Sequence, residues 1–323
     1  MKAIQMTEFG GSDVLTLVNT PELTLTEDDV LISLYSAGVN PAESYIRQGG
    51  YVFYHPIFPY TPGFDGAGII EKIGSSVTHL KVGDRVFISS CLDQSATGTY
   101  AKQMVCSSKS VRQLPDTLSF NQGAALGIPA SAAYRGLFQR GKLQKNEVVL
   151  IHGATGGVGS LAVQMAKSCG AFVIGTAGSL AGIEKVKKLG ADIALNHHDT
   201  HYLDNIPSVD LVLEMLANVN LTKDLNIIKR YGRIVIIGSR GPLDFNPRLA
   251  MEKEADILGM AVWNSSFKEN KDSLDAIEKM IYNNQLIPDI AFSYPLEKAS
   301  QAQDDTINTS VTGKIILEIQ PEP

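Results

Sequence analysis

The amino-acid sequence predicts an α/β protein with a β-rich N-terminal domain followed by a doubly wound parallel sheet domain. Short β-like runs broken by Gly and Pro fill about the first 120 residues. From about residue 125 onward, apolar strands alternate with helical patterns. The 323 residues, of which 44% are hydrophobic, are enough to fill the cores of two domains.

The N-terminal part predicts short strands at residues 30–35, 68–73 and 85–88. The acidic turn before the first of these strands and the Gly and Pro between them indicate tight reversals of the chain. Many short strands with turns between them are typical of a barrel-like or irregular β domain.

The second part begins with the continuous apolar run VVLI at residues 148–151, which is typical of a strand buried on both faces. A helical pattern follows and is closed by Gly170. Further strands are predicted at 172–176, 193–195, 210–213, 233–237 and 257–262, with helices around 183–189 and 221–231. This alternation predicts a doubly wound parallel sheet.

Two domain boundaries follow from these patterns. We assign residues 1–125 to the first domain and residues 126–264 to the second. Residues 265–323 carry a helix at 273–282 and a final strand at 314–319. Because the other short strands lie at the front of the chain, we expect this last segment to pack back onto the first domain.

The loop after strand 148–151 has small residues spaced as Ala154-x-Gly156-x-x-Gly159. A nucleotide pyrophosphate binds close to the backbone at a helix N-terminus, where free N–H groups and the helix dipole favour anions. The same spacing also occurs in purely structural turns. In its strand–turn–helix setting, however, the loop predicts a dinucleotide site.

The end of the second strand distinguishes NAD from NADP. An NAD site has Asp or Glu there to bind the ribose hydroxyls. No acidic residue occurs between Ala171 and Ile183, so nothing in this stretch repels a 2′-phosphate. Ser179 and Lys185 are candidate partners for that phosphate, although each could equally belong to a solvated helix start. His197 and Arg240 are further candidates, and the sequence predicts NADP(H).

Composition excludes several classes of function. A net charge of −6 and a pI near 5.6 provide no electrostatic footprint for nucleic acid or an anionic membrane. Three widely separated cysteines indicate neither a disulfide framework nor a structural zinc lobe. The chain has no apolar signal core and no apolar run of the roughly 20 residues that span a bilayer. We therefore expect a cytoplasmic protein without a membrane partner.

Several blocks resemble the zeta-crystallin type of quinone oxidoreductase in the medium-chain dehydrogenase/reductase superfamily. They are FGGSDVL at 9–15, GVNP at 38–41, PYTPG at 59–63, GDRVF at 83–87, HGATGGVG at 152–159, EMLANVNLTKDL at 214–225 and TGKIIL at 312–317. The resemblance implies a GroES-like catalytic domain and a Rossmann domain. It also implies a homodimer, with a tetramer as the alternative, assembled through the last Rossmann strand.

The resemblance also implies cofactor contacts, which fall on the glycine loop, the adenosine end and the strands beside the nicotinamide. These residues are Tyr51, Thr155, Gly156, Gly157, Val158, Gly178, His197, Asn220, Ile237, Gly238, Ser239, Arg240, Met260, Ala261 and Val262. The segment 51–60 departs from the family pattern, because it is one residue longer and more aromatic. This departure puts the role of Tyr51 in doubt.

Zinc members of the superfamily hold a catalytic metal with Cys, a His-Glu pair and Cys. The corresponding places here are Asn40, Phe64-Asp65 and Ile128. A phenyl ring and an isoleucine cannot bind zinc, so we expect no catalytic metal. His197, His198 and His201 cluster elsewhere, but no thiolate accompanies them.

Without a metal, the chemistry expected is reduction of an acceptor that is already electrophilic, such as a quinone. The protein then contributes geometry and hydrogen bonds to the acceptor oxygen. The candidate donors are Asn40, Tyr45, Tyr51 and Tyr60, with Arg47 a weaker one. Asn40-Pro41 could instead form only a turn, and Tyr60 could be a core residue.

The sequence thus predicts NADPH-dependent, zinc-independent reduction of quinones. One alternative is an NADPH-dependent reductase of double bonds in enones or alkenals, with the same fold and cofactor. The other belongs to a different class, an RNA-binding or structural crystallin-type protein. The negative net charge and the lack of an RNA-binding motif disfavour RNA.

Overall fold

The computed structural model describes residues 1–309 and 311–322; Ser310 and Pro323, both in the C-terminal segment, lie outside the described residues. The strands are β1 Lys2–Gln5, β2 Thr16–Asn19, β3 Asp29–Val39, β4 Asp65–Ile73, β5 Arg85–Ser89, β6 Gln103–Ser107, β7 Val111–Gln113, β8 Val148–Ile151, β9 Phe172–Ala177, β10 Ile193–Asn196, β11 Val209–Glu214, β12 Ile228–Ile236, β13 Asp256–Gly259, β14 Ile290–Pro295 and β15 Lys314–Glu318. The helices are α1 Pro41–Arg47, α2 Phe120–Ala124, α3 Gly127–Tyr134, α4 Gly157–Ser168, α5 Leu180–Lys188, α6 Ala217–Ile227, α7 Pro247–Lys253, α8 Phe267–Tyr282 and α9 Ala299–Asn308.

The chain divides into two units. The first contains residues 1–128, 274–282 and 287–323, and the second contains residues 129–273 and 283–286. None of the helices in the described part of the chain has the length and hydropathy needed to cross a membrane.

The first unit is built around a seven-stranded sheet in which the long strand β3 is central. The strand order is β14-β15-β3-β4-β5-β7, and β6 also pairs with β3. The last strand, β15, runs antiparallel to β3, with Leu317 opposite Ala37. The C-terminal strand therefore completes the sheet that the N-terminal strands begin. Strands β1 and β2 form a separate two-stranded sheet.

The second unit contains a six-stranded sheet in the order β10-β9-β8-β11-β12-β13. Every neighbouring pair in this sheet is parallel. The paired residues of the two central strands, 149–151 of β8 and 211–213 of β11, are fully buried, as expected for central strands covered on both faces. The predicted doubly wound parallel sheet is confirmed.

Two of the predicted elements were too long by several residues at their C-terminal ends. The helix predicted at 221–231 ends at Ile227, because Ile228 adopts extended angles and begins β12, in which Tyr231 has a positive φ of 63°. The last strand, predicted at 257–262, ends at Gly259. Gly259 pairs with Ile236, where β12 itself ends, so the ladder has no partner beyond that point.

Candidate active site

The glycine loop connects β8 to α4. Gly156 is the N-cap of α4 and makes no side-chain capping bond, which leaves the first N–H groups of the helix available to an anion. A Cβ at Gly159 would lie 2.2 Å from the carbonyl oxygen of Gly153, so only glycine lets the helix approach the loop this closely. A Cβ at Gly156 would make only an ordinary contact, 3.4 Å from the carbonyl oxygen of Gly153, so the protein does not crowd that side of the loop. Thr155, Gly157 and Val158 are half-buried in the same turn.

The turn after β9 forms the expected adenosine end. Ser179 caps α5 by accepting a hydrogen bond from the Gly182 N–H at 3.1 Å. The Lys185 ammonium lies 3.5 Å from the carbonyl oxygen of Thr155, which brings it to the glycine loop. A Cβ at Gly178 would lie 2.9 Å from His197 Nε2, so these residues are neighbours. Burial lowers the pKa of His197, and its neutral ring can still donate a hydrogen bond.

The turns after β11 and β12 are held together by hydrogen bonds. The amide oxygen of Asn218 accepts the Arg240 N–H at 2.9 Å and the Ser239 hydroxyl at 3.3 Å. The Asn220 amide donates to Glu214 Oε1 at 3.3 Å. Sequence reasoning had not assigned a role to Asn218 or Glu214, although both lie in the block EMLANVNLTKDL.

The segment after β13 completes this edge of the sheet. The Met260 N–H donates to the carbonyl oxygen of Ile236 at 3.0 Å. Met260 and Ala261 are half-buried and Val262 is buried. Since all six strands are parallel, the carboxyl ends of β8, β9, β10, β11, β12 and β13 lie along one edge, where doubly wound sheets bind ligands. The cofactor residues predicted in this unit lie on the segments that follow these strands.

In the first unit, Asn40 is buried inside a polar cluster. Its amide nitrogen donates to Asp65 Oδ2 at 2.9 Å and to Glu43 Oε1 at 3.1 Å. Its amide oxygen accepts a hydrogen bond from the Lys314 ammonium. Tyr100 donates to Glu43 Oε2 at 3.1 Å. Both amide hydrogens of Asn40 therefore have partners within the protein.

Lys314 places a positive charge among these oxygens, 3.4 Å from Asp65 Oδ2. Burial lowers the pKa of Lys314, and the charges of Asp65 and Glu43 oppose this effect. Burial also raises the pKa of Glu43 to about 7. Asp65 Oδ1 accepts the Ile128 N–H at 2.7 Å.

The places that correspond to the zinc ligands are thus occupied by an amide, a phenyl ring, a carboxylate paired with an ammonium, and an isoleucine. These side chains do not fit a catalytic zinc ion, which prefers thiolate and imidazole ligands. Sequence reasoning missed Lys314 and Glu43, although Lys314 stands in the block TGKIIL.

The candidate tyrosines form two groups. The rings of Tyr45 and Tyr51 are stacked with centroids 6.4 Å apart. Tyr60 instead packs on Tyr54 at 5.8 Å, and both line a groove of about 690 Å³. Burial raises the pKa of Tyr51 and of Tyr60, so both phenols are neutral hydrogen-bond donors near neutral pH. Arg47 is buried and donates to the Gln303 side chain at 2.8 Å and to the Gly10 carbonyl oxygen at 2.9 Å.

Family models match both parts of the chain. The alcohol dehydrogenase GroES-like domain matches residues 26–116, and the zinc-binding dehydrogenase domain matches residues 157–279. Among solved structures, Escherichia coli quinone oxidoreductase complexed with NADPH is 26% identical with a TM-score of 0.85, over 99% of this chain and 100% of that one. Quinone oxidoreductase of Pseudomonas syringae pv. Tomato DC3000 is 28% identical with the same TM-score, over 98% and 99%. These matches define a two-domain medium-chain dehydrogenase/reductase.

Curated relatives narrow this class. Quinone oxidoreductase of Homo sapiens is 41% identical, over 98% of this chain and 97% of its own length. The 2-methylene-furan-3-one reductase of Solanum lycopersicum is 33% identical, over 73% of this chain and 62% of its own. The chain belongs to the quinone oxidoreductase family of zeta-crystallin type.

Proposed function

We propose that this protein is an NADPH-dependent quinone oxidoreductase that works without a catalytic metal. Two features of the parallel sheet support this proposal most directly. The glycine loop after β8 is uncrowded, and no carboxylate lies in the turn after β9. The full-length similarity to quinone oxidoreductases supports the same acceptor class. NADPH supplies the reducing equivalents when bound, and the residues described above fit it.

In this mechanism the first N–H groups of α4 would hold the pyrophosphate, and Ser179, Lys185, His197 and Arg240 would receive the 2′-phosphate. Ser179 still has its hydroxyl hydrogen to donate, because its oxygen is the capping acceptor. The Lys185 ammonium adds the charge that balances the phosphate. Asn220, Ser239 and residues 260–262 position the nicotinamide end.

The first unit contributes hydrogen bonds to the acceptor. We propose that the phenols of Tyr45 and Tyr51 donate to a quinone oxygen as negative charge develops on it. Because Tyr51 has a raised pKa, it orients the quinone rather than acting as its acid. Protons reach the reduced quinone from water. Asn40 supports this region by joining α1 to Asp65, and Tyr60 packs on Tyr54.

Zinc independence is proposed on the chemistry of the buried cluster. The Lys314 ammonium provides the positive charge at this place, and Phe64 and Ile128 provide no lone pair. A chelator is therefore expected to leave the quinone reductase activity unchanged.

We further propose a homodimer in the cytoplasm, with a tetramer as the alternative. Strand β13 is the edge of the six-stranded sheet, and its residues are half-buried or exposed. An open edge of this kind can pair with the same edge of a second copy across a two-fold axis. Size-exclusion chromatography with light scattering would test the assembly.

Three unpaired cysteines fit the reducing compartment that we propose, the cytoplasm.

The deciding experiment is NADPH oxidation with an ortho-quinone, with and without a chelator, repeated with NADH. Fast NADPH-specific turnover that the chelator does not affect supports the proposal. Loss of activity with the chelator contradicts the metal-free site, and a preference for NADH contradicts the assignment of the 2′-phosphate site.

A double-bond reductase is the second candidate, because a relative that covers 73% of the chain carries the name of a furanone reductase. The same neutral phenols could polarise the carbonyl of a conjugated enone. The two candidates are separated by substrate, since NADPH oxidation with a small enone but without quinone turnover would favour this one.

A further inference from the structure

Behind the cofactor edge, three buried titratable side chains meet: His152, Glu214 and Asp224. His152 follows β8, Glu214 ends β11 and Asp224 lies on α6. His152 is 3% exposed and both carboxyl groups are fully buried. One ligand atom from each residue lies within 4.8 Å of the others.

The geometry of the trio indicates a shared proton. His152 Nε2 lies 2.8 Å from Asp224 Oδ1, so the neutral ring can donate its N–H to that oxygen. Within residues 1–309 and 311–322, Glu214 Oε2 and Asp224 Oδ2 have no hydrogen-bond donor. Two carboxyl groups this close together in a dry core repel one another when both are charged, and a proton between them removes that repulsion. In agreement, burial raises the pKa of both Glu214 and Asp224 to about 7, and it lowers that of His152.

Glu214 connects the trio to the cofactor segments. Its Oε1 accepts the Leu216 N–H and the Asn220 amide, and its main-chain oxygen accepts the Ile237 N–H at 2.8 Å. The same main-chain oxygen accepts the Gly238 N–H at 3.3 Å. Glu214 therefore ties the turn after β11 to the turn after β12. The main-chain N–H of His152 donates to the carbonyl oxygen of Leu213. This bond ties the end of β8, which leads into the glycine loop, to β11 as well.

We propose that His152, Glu214 and Asp224 form a buried proton-sharing network that positions Asn220 and the turn after β12 for NADPH. These three are positioning residues, and the inference rests on the proposed function because it concerns the same cofactor site. In this network one hydrogen lies between the carboxyl groups of Glu214 and Asp224. Glu214 Oε1 can then accept hydrogen bonds from the turn after β11. If that hydrogen is lost, the two carboxylates repel one another and the turn loosens.

Other charged groups surround the network. Lys223 adjoins Asp224 on α6 and favours the charged form of that carboxyl. Tyr202 is buried nearby, and its pKa is raised to about 12 by burial and by the two carboxyls, so it stays neutral near neutral pH. His197 is also near His152. With Tyr202 neutral throughout, the proton between the carboxyl groups is the one expected to leave first above neutral pH.

The first test measures the dissociation constant of NADPH by fluorescence titration of the whole protein. Glu214→Met removes the carboxyl oxygen that accepts hydrogen bonds from Leu216 and Asn220. The variant is expected to weaken NADPH binding at least about tenfold, because the turn after β11 loses a hydrogen bond to a charged group. Glu147→Met is the matched control. Glu147 pairs with Arg233 at the opposite end of β8, so this change lowers stability while leaving NADPH affinity within about twofold.

The second test needs no disruptive variant. Wild-type affinity for NADPH is expected to fall between about pH 7 and about pH 9, where the shared proton leaves while the 2′-phosphate is already ionised. Asp224→Asn places an amide hydrogen where the proton lies, so it is expected to keep wild-type affinity at neutral pH and to abolish the decline. A decline of equal size in Asp224→Asn overturns the proposal.

Two further outcomes are decisive. Stoichiometric metal retained by the purified protein and lost in Glu214→Met would make the trio a metal site and overturn the shared proton. NADPH affinity of Glu214→Met within about twofold of wild type would also overturn the proposal. If the wild-type protein binds NADPH and reduces quinone, either outcome rejects the network alone. If it does neither, the proposed function itself is rejected.

Discussion

Removing the ammonium of Lys314 is expected to destabilise the first unit severely. The Lys314 side chain is 5% exposed and its partner Asp65 is fully buried, at an N–O distance of 3.4 Å. Lys314→Met keeps the length of the side chain but leaves Asp65 and Glu43 without their cation. Breaking a buried ion pair by removing one partner costs about 3–5 kcal/mol, because the remaining charge is buried without compensation.

Hydrogen–deuterium exchange in increasing urea measures this cost within the first unit. The reporters are amides of that unit, including the Ile128 N–H that donates to Asp65 Oδ1. Lys167→Met is the control, because Lys167 pairs with Asp192 at 2.6 Å but is 43% exposed. Lys167 lies in the second unit, so its cost is measured from the amides of that unit. Such a surface pair contributes about 0–1 kcal/mol.

A double variant separates the charge from the packing of the lysine. Asp65→Asn combined with Lys314→Met leaves no ion pair to break, so it is expected to be more stable than Lys314→Met alone. The reasoning is refuted if Lys314→Met costs no more than Lys167→Met. It is also refuted if the double variant recovers none of the lost stability, since packing would then account for the whole effect.

Three further predictions concern the cofactor edge and the buried cluster. Ser179→Asp adds a negative charge beside the 2′-phosphate and is expected to weaken binding of NADPH about thirtyfold but binding of NADH little. The new carboxylate faces the two negative charges of the phosphate, and each such pair of charges costs about 1 kcal/mol in water. Ser179→Asn is the neutral control, and equal losses of affinity for both cofactors contradict the assignment. Gly159→Ala puts a Cβ 2.2 Å from the Gly153 oxygen and should weaken NADPH binding measurably, whereas Gly50→Ala, which meets nothing within 4 Å, should not. Because the pKa of Glu43 is raised to about 7, the folded protein keeps a proton on Glu43 that the unfolded chain loses near pH 4.5. The stability of the first unit should therefore fall as the pH rises from 4.5 through about 7. Hydrogen exchange measured at several pH values should show this decline in the wild type and a flatter one in Glu43→Gln.

Local patterns were enough to predict most of the second unit. The run VVLI coincides with β8, and Gly170, with a positive φ of 83°, follows α4 as the closing glycine. Such features depend on residues close together in the chain, namely apolar runs, helical periodicity and glycines at turns. The absence of an acid after β9 is likewise a property of the sequence alone, and it predicts the cofactor without coordinates.

The ends of elements depended on their neighbours. The strand at 257–262 was predicted too long, because its end is set by the length of β12 beside it. The helix at 221–231 was predicted too long for a related reason, since residues from Ile228 onward join the sheet. Pairing across a sheet is a long-range interaction, and a single sequence does not state which segments lie side by side.

The residue types in the site were legible in the sequence, but their partners were decided by the tertiary structure. Asn40 was a candidate donor to the acceptor oxygen, and the fold gives its amide hydrogens to Glu43 and Asp65. Lys314 reaches Asn40 across 274 positions of the chain because β15 pairs with β3. Likewise, His152 and Glu214 meet because β8 and β11 are adjacent. Composition and periodicity determine which segments become strands and helices, whereas the environment of a buried charge depends on which distant segments the fold brings beside it.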